Sequence, residues 1–231
     1  MIKVTSFRWV PSFAQGISRD MRVRWALEEA GLAYEEQPIG FEDRTTANHR
    51  RRQPFGQIPV FEEDGLTLFE SGAIVLHIAE RSTALMPSDP KARARAKTWM
   101  FAALNSVEPD IENLAAIDLF HAEEEWAKQR RPGAVEAARK RLMDLSAWLD
   151  GREYLEDRFT AADLLMTTVL RFLRHTDLVA EIPALDAYRL RCEARPAFRK
   201  ALADHMALVS ANAPTGAAGT NQAARHSPLT N

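Results

Sequence analysis

The chain of 231 residues contains a single cysteine, Cys192. No intrachain disulfide can form, there is no CxxC redox pair, and a reducing cytoplasm is the expected setting. Charge of either sign is not in excess: 30 Lys and Arg stand against 32 Asp and Glu, a net charge of −2. Nothing there favours the counterion release that drives nucleic-acid binding, so no nucleic-acid partner is expected. Long apolar runs are missing, and Met1-Ile2-Lys3-Val4 leads directly into strand-like sequence rather than a charged-then-apolar leader. Neither a signal peptide nor a membrane span is therefore expected. The six histidines form no HExxH and no paired spacing, so no metal site is expected. The chain also lacks GxGxxG, a P-loop and internal repeats. Tyrosine is scarce, at Tyr34, Tyr154 and Tyr188 only. What is present is ordinary for a soluble protein, 46% hydrophobic and 27% charged, enough for one large domain or two small ones.

The first half mixes strand and helix signals. Positions 2–7 read as a strand, and 8–18 as a loop marked by Pro11 and Gly16. Positions 19–30 read as a helix with Val23, Ala26, Leu27 and Ala30 on one face, stopped by Gly31. Positions 32–39 read as a second strand, and 40–53 are polar and basic with weak periodicity. Ile58-Pro59-Val60-Phe61 and Leu66-Thr67-Leu68-Phe69 flank the turn Glu63-Asp64-Gly65, a β-hairpin pattern. Glu70-Ser71-Gly72 then opens a helix with Ile74, Val75 and Ile78 three and four apart. A proline inside a strand removes a ladder donor and belongs at an edge, a strand start or a special site. A Glu-Ser pair at a helix start sets an acceptor and a hydroxyl beside free N–H groups that favour an anion.

Positions 83–91, with Pro87 and Pro90, read as a linker, and everything after them as helix. The helical stretch 92–120 carries Trp99, Ala103, Val107, Ile111 and Leu114, with Pro109 expected to kink or break it. Val135, Ala138, Leu142, Leu145 and Leu149 form an apolar stripe ended by Gly151. Phe159-Thr160-Ala161-Ala162-Asp163-Leu164 is a capping box with a hydrophobic staple. Helices over 185–193 and 197–209 follow. The last segment, 211–231, is small and polar without periodicity and reads as a disordered tail. Cys192 reads as a small buried hydrophobe and His77 as structural.

The segment 55–81 strongly resembles the glutathione-binding half of the cytosolic glutathione transferases, of a bacterial, serine-type or atypical class. The carrying residues are Gln57-Ile58-Pro59 and Glu70-Ser71 at their mutual spacing, and the capping box at Thr160 and Asp163 is an independent match. The resemblance covers roughly positions 3–209. It implies an α/β plus all-α fold: an N-terminal thioredoxin-like domain over 1–82, the linker, then an all-helical C-terminal bundle domain over 92–210. It implies that Pro59 is cis, that Ile58 offers its backbone to the cysteinyl part of glutathione, and that Glu70 and Ser71 hold the γ-glutamyl end. Gln57 and Arg44 would meet the glycine carboxylate, with Arg50, Arg51 and Arg52 nearby or simply solvated. Trp99, Met100 and Ala103 would line the electrophile pocket or form ordinary interhelical core. The implied function is a glutathione transferase with glutathione as co-substrate. Its thiolate would attack a small apolar electrophile in detoxification, in a cytoplasmic homodimer.

The thiolate is the nucleophile, and a free thiol of pKa about 8.5 is only a few per cent ionised at pH 7. Lowering that by about two units takes roughly 2.7 kcal/mol. Families of this type place a Tyr, Ser or Cys in the loop before the first helix, and no tyrosine and no cysteine stands there. That leaves Ser18 as the catalytic candidate, with Ser12 or backbone N–H groups as alternatives. Ser18 precedes Arg22-Val23-Arg24 by one residue less than is usual, Ile17 taking the usual place, and the loop is longer than usual. Ser18 reads equally as the cap of the first helix, and Ser12 as a surface residue. A glutathione-dependent isomerase of zeta type shares the same glutathione site. A non-catalytic transferase-like interaction module would need no such cradle.

Overall fold

The computed structural model describes residues 1–214. Strand β1 (Ile2–Phe7) leads through helix α1 (Asp20–Ala30) to β2 (Tyr34–Ile39), and α2 (Ala47–Arg52) precedes β3 (Phe61–Glu63), β4 (Leu66–Leu68) and α3 (Ser71–Ala79). The sheet order is β2-β1-β3-β4. β1 and β2 run parallel from Ile2↔Tyr34 to Phe7↔Ile39, which requires the α1 crossover between them. β1–β3 and β3–β4 are antiparallel. This is the expected thioredoxin-like unit. Pro38 is tolerated because β2 is an edge strand. Asp64 and Gly65, at φ 49° and 85°, make the tight hairpin turn whose both central residues need positive φ. The hairpin strands are shorter than the apolar runs suggested. Pro59 has no N–H to donate, so the ladder with β1 begins only where Thr5 N–H donates to the Val60 carbonyl at 2.8 Å.

The second unit is helical: α4 (Pro90–Ala102), α5 (Glu108–Phe120), α6 (Glu125–Trp148), α7 (Ala161–Leu170), α8 (Pro183–Glu193) and α9 (Pro196–Ala211). Between α4 and α5 the chain does not break at Pro109. It passes through a π-helical turn, Ala103–Val107, and Pro109 sits in the first turn of α5, where a missing N–H costs little. α6 starts ten residues before the apolar stripe and runs through Pro132. The stretch from Lys128 to Gly133 is exposed, so water can serve the carbonyl that Pro132 leaves without a donor, while Ala127, Ala134 and Ala138 stay buried inside. The expected tail from 211 lies, from 215 on, outside the described residues.

α7 is buried at every position from Ala161 to Leu170. Its capping box is complete, with Thr160 N–H donating to Asp163 Oδ2 at 2.8 Å and Ala162 N–H to Thr160 Oγ1 at 3.2 Å. Asp163 also accepts from Leu155 N–H and Tyr188 O–H. α1 packs against α3, α7 and α9, so it belongs to both units, and Trp25 is wedged between the rings of Phe159 and Phe198. Within α1, Arg24 donates to Asp20 at 2.8 Å and also pairs with Glu36. Burial alone would raise the Asp20 carboxyl, but His205 and Arg24 outweigh it and hold Asp20 well below the usual range. The linker is pinned where Arg158 donates to the Thr83 carbonyl at 2.7 Å and Ala161 N–H to the Leu85 carbonyl at 2.9 Å.

Candidate active site

A cleft of about 560 Å³ opens between the two units. One wall is Arg19, Arg22, Gln53, Gln57, Ile58 and Glu70 to Gly72, and the other is contributed by the π-turn and α5. The elements that build it follow from local rules. His49 in α2 is buried, and its Nε2 lies 2.7 Å from the Gln57 carbonyl, fixing the backbone just before Ile58. Ile58–Pro59 is a cis peptide bond. Glu70, at φ 67° and ψ 113°, turns the chain sharply from β4 into α3. Its carbonyl takes the first helical bond from Ile74 N–H at 3.0 Å. The N–H groups of the first turn of α3 therefore have no intrahelical partner, and Gly72 faces the cleft. A Cβ on Gly72 would lie 2.4 Å from Leu104 Cδ1, so the glycine admits the close approach of the π-turn to the α3 N-terminus.

Of the site residues expected from the sequence, the structure brings Gln57, Ile58, Glu70 and Ser71 together around this cleft. Pro59 is buried behind it. Ser18 does not line it: its Oγ is buried on the side of Asp20, where it helps hold that carboxyl down. Ser12 is exposed in a short 3-10 turn. Arg44 does not line the cleft either. Its guanidinium lies over the rings of Phe7 and Phe41 at 5.8 and 5.6 Å and its Nε donates to the Phe41 carbonyl. Arg50 and Arg52 are engaged with the Pro54 carbonyl and Glu62. Trp99, Met100 and Ala103 do not line the cleft. Met100 and Ala103 are core, and the Trp99 ring lies 5.0 Å from that of Trp148, tilted by 46°.

The sequence reading missed the charged floor. Arg22, which is 3% exposed, donates to Glu108 at 2.8 Å, to Ser71 Oγ at 3.2 Å and to Thr168 Oγ1 at 3.2 Å. Arg19 Nη2 lies 2.7 and 2.9 Å from the two Glu112 oxygens and 3.3 Å from Glu108. Burial alone would raise the Glu108 carboxyl, but Arg22 and Arg19 prevail and hold it below the ordinary range. Burial works against the charge of Arg19 too, and Glu112 with Glu108 overcomes it and raises its pKa. Arg19 at the N-terminal edge of α1 and Arg22 three residues on, with Glu108 and Glu112 four apart on α5, were the available signal. Gln53, Asn105 and Asn113 complete the lining.

The loop before α1 is clamped from the helical unit. Arg174 donates to the Ser12 and Phe13 carbonyls at 3.3 and 2.8 Å and also to Gln15, and Arg171 donates to Gly16 at 3.3 Å. Phe13 meets Phe120 edge-on at 5.2 Å. Among the described residues no group of three potential ligands could hold a metal, and no helix is long and apolar enough to cross a membrane.

A thioredoxin-like unit and an all-helical unit, with a polar cleft between them, set the class of architecture. Comparison with known proteins narrows this. Residues 13–80 match the glutathione S-transferase N-terminal domain and residues 103–196 the glutathione S-transferase C-terminal domain. The chain is 32% identical over 200 residues to a maleylacetoacetate isomerase of Rhizobium meliloti, covering 81% of this chain and 92% of that one. It is 30% identical over 206 residues to a glutathione S-transferase of Hyoscyamus muticus, covering 79% and 92%. A solved glutathione transferase family member of Pseudomonas fluorescens, with two glutathione bound, superposes with a TM-score of 0.77 at 26% identity, over 87% of this chain and 92% of that one. The chain belongs to the glutathione S-transferase family, and is a glutathione-dependent transferase.

Proposed function

We propose that glutathione lies with its cysteinyl backbone along Ile58 and its γ-glutamyl end at Glu70 and Ser71. The observation that carries this is the convergence of the Ile58–Pro59 bond, Gln57 and the α3 N-terminus on one cleft. The carboxylate of the γ-glutamyl group meets the Ser71 hydroxyl and the free N–H groups of α3, and its ammonium meets Glu70. Gln57 takes the glycine carboxylate. For the thiol, Ser18 and Ser12 both lie off the cleft lining, which favours backbone N–H groups at the entry to α1 as the stabilising donors. The electrophile is small, with an apolar body resting on Leu104, Pro109 and Ala116. Calorimetric titration with glutathione tests the site: Ser71→Ala weakens binding by about tenfold, the worth of one charge-assisted hydrogen bond. Equal affinity in the two proteins overturns the assignment.

The exposed ridge of Phe55, Leu66 and Phe69, 62, 41 and 37% exposed, supports a homodimer, since the Phe55 and Phe69 rings meet at 6.2 Å and face outward. The single buried Cys192 supports a reducing, cytoplasmic setting. A second reading is a glutathione-dependent isomerase of zeta type, favoured by the Rhizobium relative's name. Assaying a cis-dienoyl diacid beside a chloroaromatic electrophile separates the two. Failure to bind glutathione at all points to a non-catalytic interaction module.

A further inference from the structure

The loop that leads into α1 belongs to the first unit in sequence, but the helical unit holds it. Arg174 Nη2 donates to the Ser12 and Phe13 carbonyls at 3.3 and 2.8 Å, and its Nη1 donates to the Gln15 carbonyl. Arg171 Nη2 donates to the Gly16 carbonyl at 3.3 Å. Gly16, at φ 73°, comes so close to the helical unit that a Cβ there would stand 2.7 Å from Leu202 Cδ1 and 3.4 Å from Arg171 Nη2. Phe13 adds its edge contact to Phe120, and Gln15 Nε2 closes the loop on itself through the Val10 carbonyl at 3.3 Å.

The two arginines are not equivalent. Arg171 is anchored within its own unit, where Nη1 pairs with Glu193 at 2.9 Å and the guanidinium lies 4.8 Å from the Phe198 ring centroid. Arg174 forms no ion pair among the described residues, and burial with the like charge of Arg171 pushes its pKa down. Its hydrogen bonds all go to the loop. A guanidinium carries its donors in one rigid plane, so it can fix several carbonyls relative to one another, as an ammonium cannot.

A trans peptide points its N–H opposite its carbonyl. The clamp therefore turns the N–H groups of Phe13 and Gly16 away from the helical unit, and no protein acceptor among the described residues takes either. The chain then reaches Ser18, whose carbonyl accepts from Met21 N–H at 2.9 Å, and Arg19, which lines the cleft. We propose that Arg174 is a positioning residue for the thiol: by gripping the loop carbonyls it sets the backbone N–H groups at the entry to α1 that hold the glutathione thiolate. The proposal rests on the reading that backbone N–H groups, rather than a side-chain hydroxyl, stabilise that thiolate. It divides the work between the units. Gln57, Ile58, Glu70 and Ser71 of the first unit bind glutathione, and the helical unit governs its ionisation.

The test uses the full chain with Arg174→Lys and Arg174→Gln. Arg174 is exposed, so both variants are expected to fold, which thermal unfolding checks. Lysine keeps the charge but not the planar fork. Three quantities are read: the thiolate absorbance of bound glutathione, the pH profile of kcat/KM for a chloroaromatic electrophile at saturating glutathione, and the calorimetric affinity for S-methylglutathione, which has no thiol proton to lose. In both variants the acid limb should move up by about one pH unit, a loss of about tenfold in rate along that limb, with S-methylglutathione affinity within about twofold of the parent. A pH profile that stays in place while Tm falls shows a merely structural contact and overturns the proposal. So does a shift in Arg174→Gln that Arg174→Lys does not share, since charge alone would then be the cause. Lost affinity for S-methylglutathione overturns it as well, because the loop would then be holding the ligand rather than tuning its thiol. Lost thiolate absorbance in Ser18→Ala, with Arg174 intact, overturns the underlying reading instead. Should the Arg174 variants fail to fold, Phe120→Leu, which removes the edge contact to Phe13, enters the same measurements with the same expected shift.

Discussion

Glu70 is the residue at which recognition and backbone conformation conflict most openly. Its φ of 67° with ψ of 113° lies outside the small left-handed region that side-chain-bearing residues visit. Holding such a conformation costs on the order of 1–3 kcal/mol, and the cost falls on the Cβ. The Glu70 side chain makes no cap hydrogen bond and is exposed, so its carboxylate contributes little to folding. Two substitutions separate the terms. Glu70→Ala removes the carboxylate and keeps the Cβ in the strained position. Glu70→Gly removes both, but adds unfolded-state entropy worth about 0.4–1 kcal/mol against folding. The difference between the variants cancels the carboxylate. It leaves the glycine form more stable than the alanine form by about 1 kcal/mol, a rise of about 2–4 °C in Tm for a chain of this size. Urea unfolding followed by tryptophan fluorescence reads the difference directly, and calorimetry shows both variants losing glutathione affinity alike. An alanine variant as stable as the glycine variant refutes the claim that the backbone here is strained.

Thr160→Ala removes a cap buried under the linker and should cost about 1–2 kcal/mol in urea unfolding, with Thr160→Ser recovering most of it. The acid limb of stability follows from Glu108 and Asp20, whose carboxyls are both held below their ordinary range in the folded state. A depressed carboxyl contributes stability that is fully present above its unfolded pKa, about 4, and is lost as pH falls through the folded value. Urea midpoints should therefore stay flat from about pH 7 to 5 and fall below about pH 4, less steeply in Glu108→Gln. Phe55→Ser should shift sedimentation toward a smaller species, and an unchanged sedimentation coefficient would remove the outward aromatic ridge as a dimer contact.

The parts of the fold that were legible are those written by neighbours in sequence. Asp64-Gly65, Gly31 and Thr160 through Asp163 each act over two to four residues, and each element lies where its signal stands. Gln57-Ile58-Pro59 and Glu70-Ser71 were legible for a related reason: their spacing carries one short hairpin between them. The charged floor was not. Arg22 and Glu108 are 86 residues apart, and nothing local distinguishes this arginine from the exposed Arg51. The start of α6 was not legible because its first ten residues carry no apolar stripe, and its Pro132 is tolerable because that turn is exposed. Ser18 was misplaced relative to the cleft because a side chain's direction at a helix entry depends on how the preceding loop is clamped, and Arg171 and Arg174, some 155 residues on, do the clamping.

The π-turn at Ala103–Val107 acts as a phase shifter. An α-helix advances about 100° per residue, and a single wide turn holds one residue more than its neighbours without lengthening the contacts on either side. α5 therefore presents a face set about 100° from where an uninterrupted continuation of α4 would put it. That rotation points Glu108 and Glu112 toward Arg22 and Arg19. Deleting one residue within 103–107 would leave a straighter, more regular helix and turn both carboxylates away from their arginines. The irregularity is thus a timing element: it sets which side of a long rod looks into the cleft, independently of what either half of the rod contains.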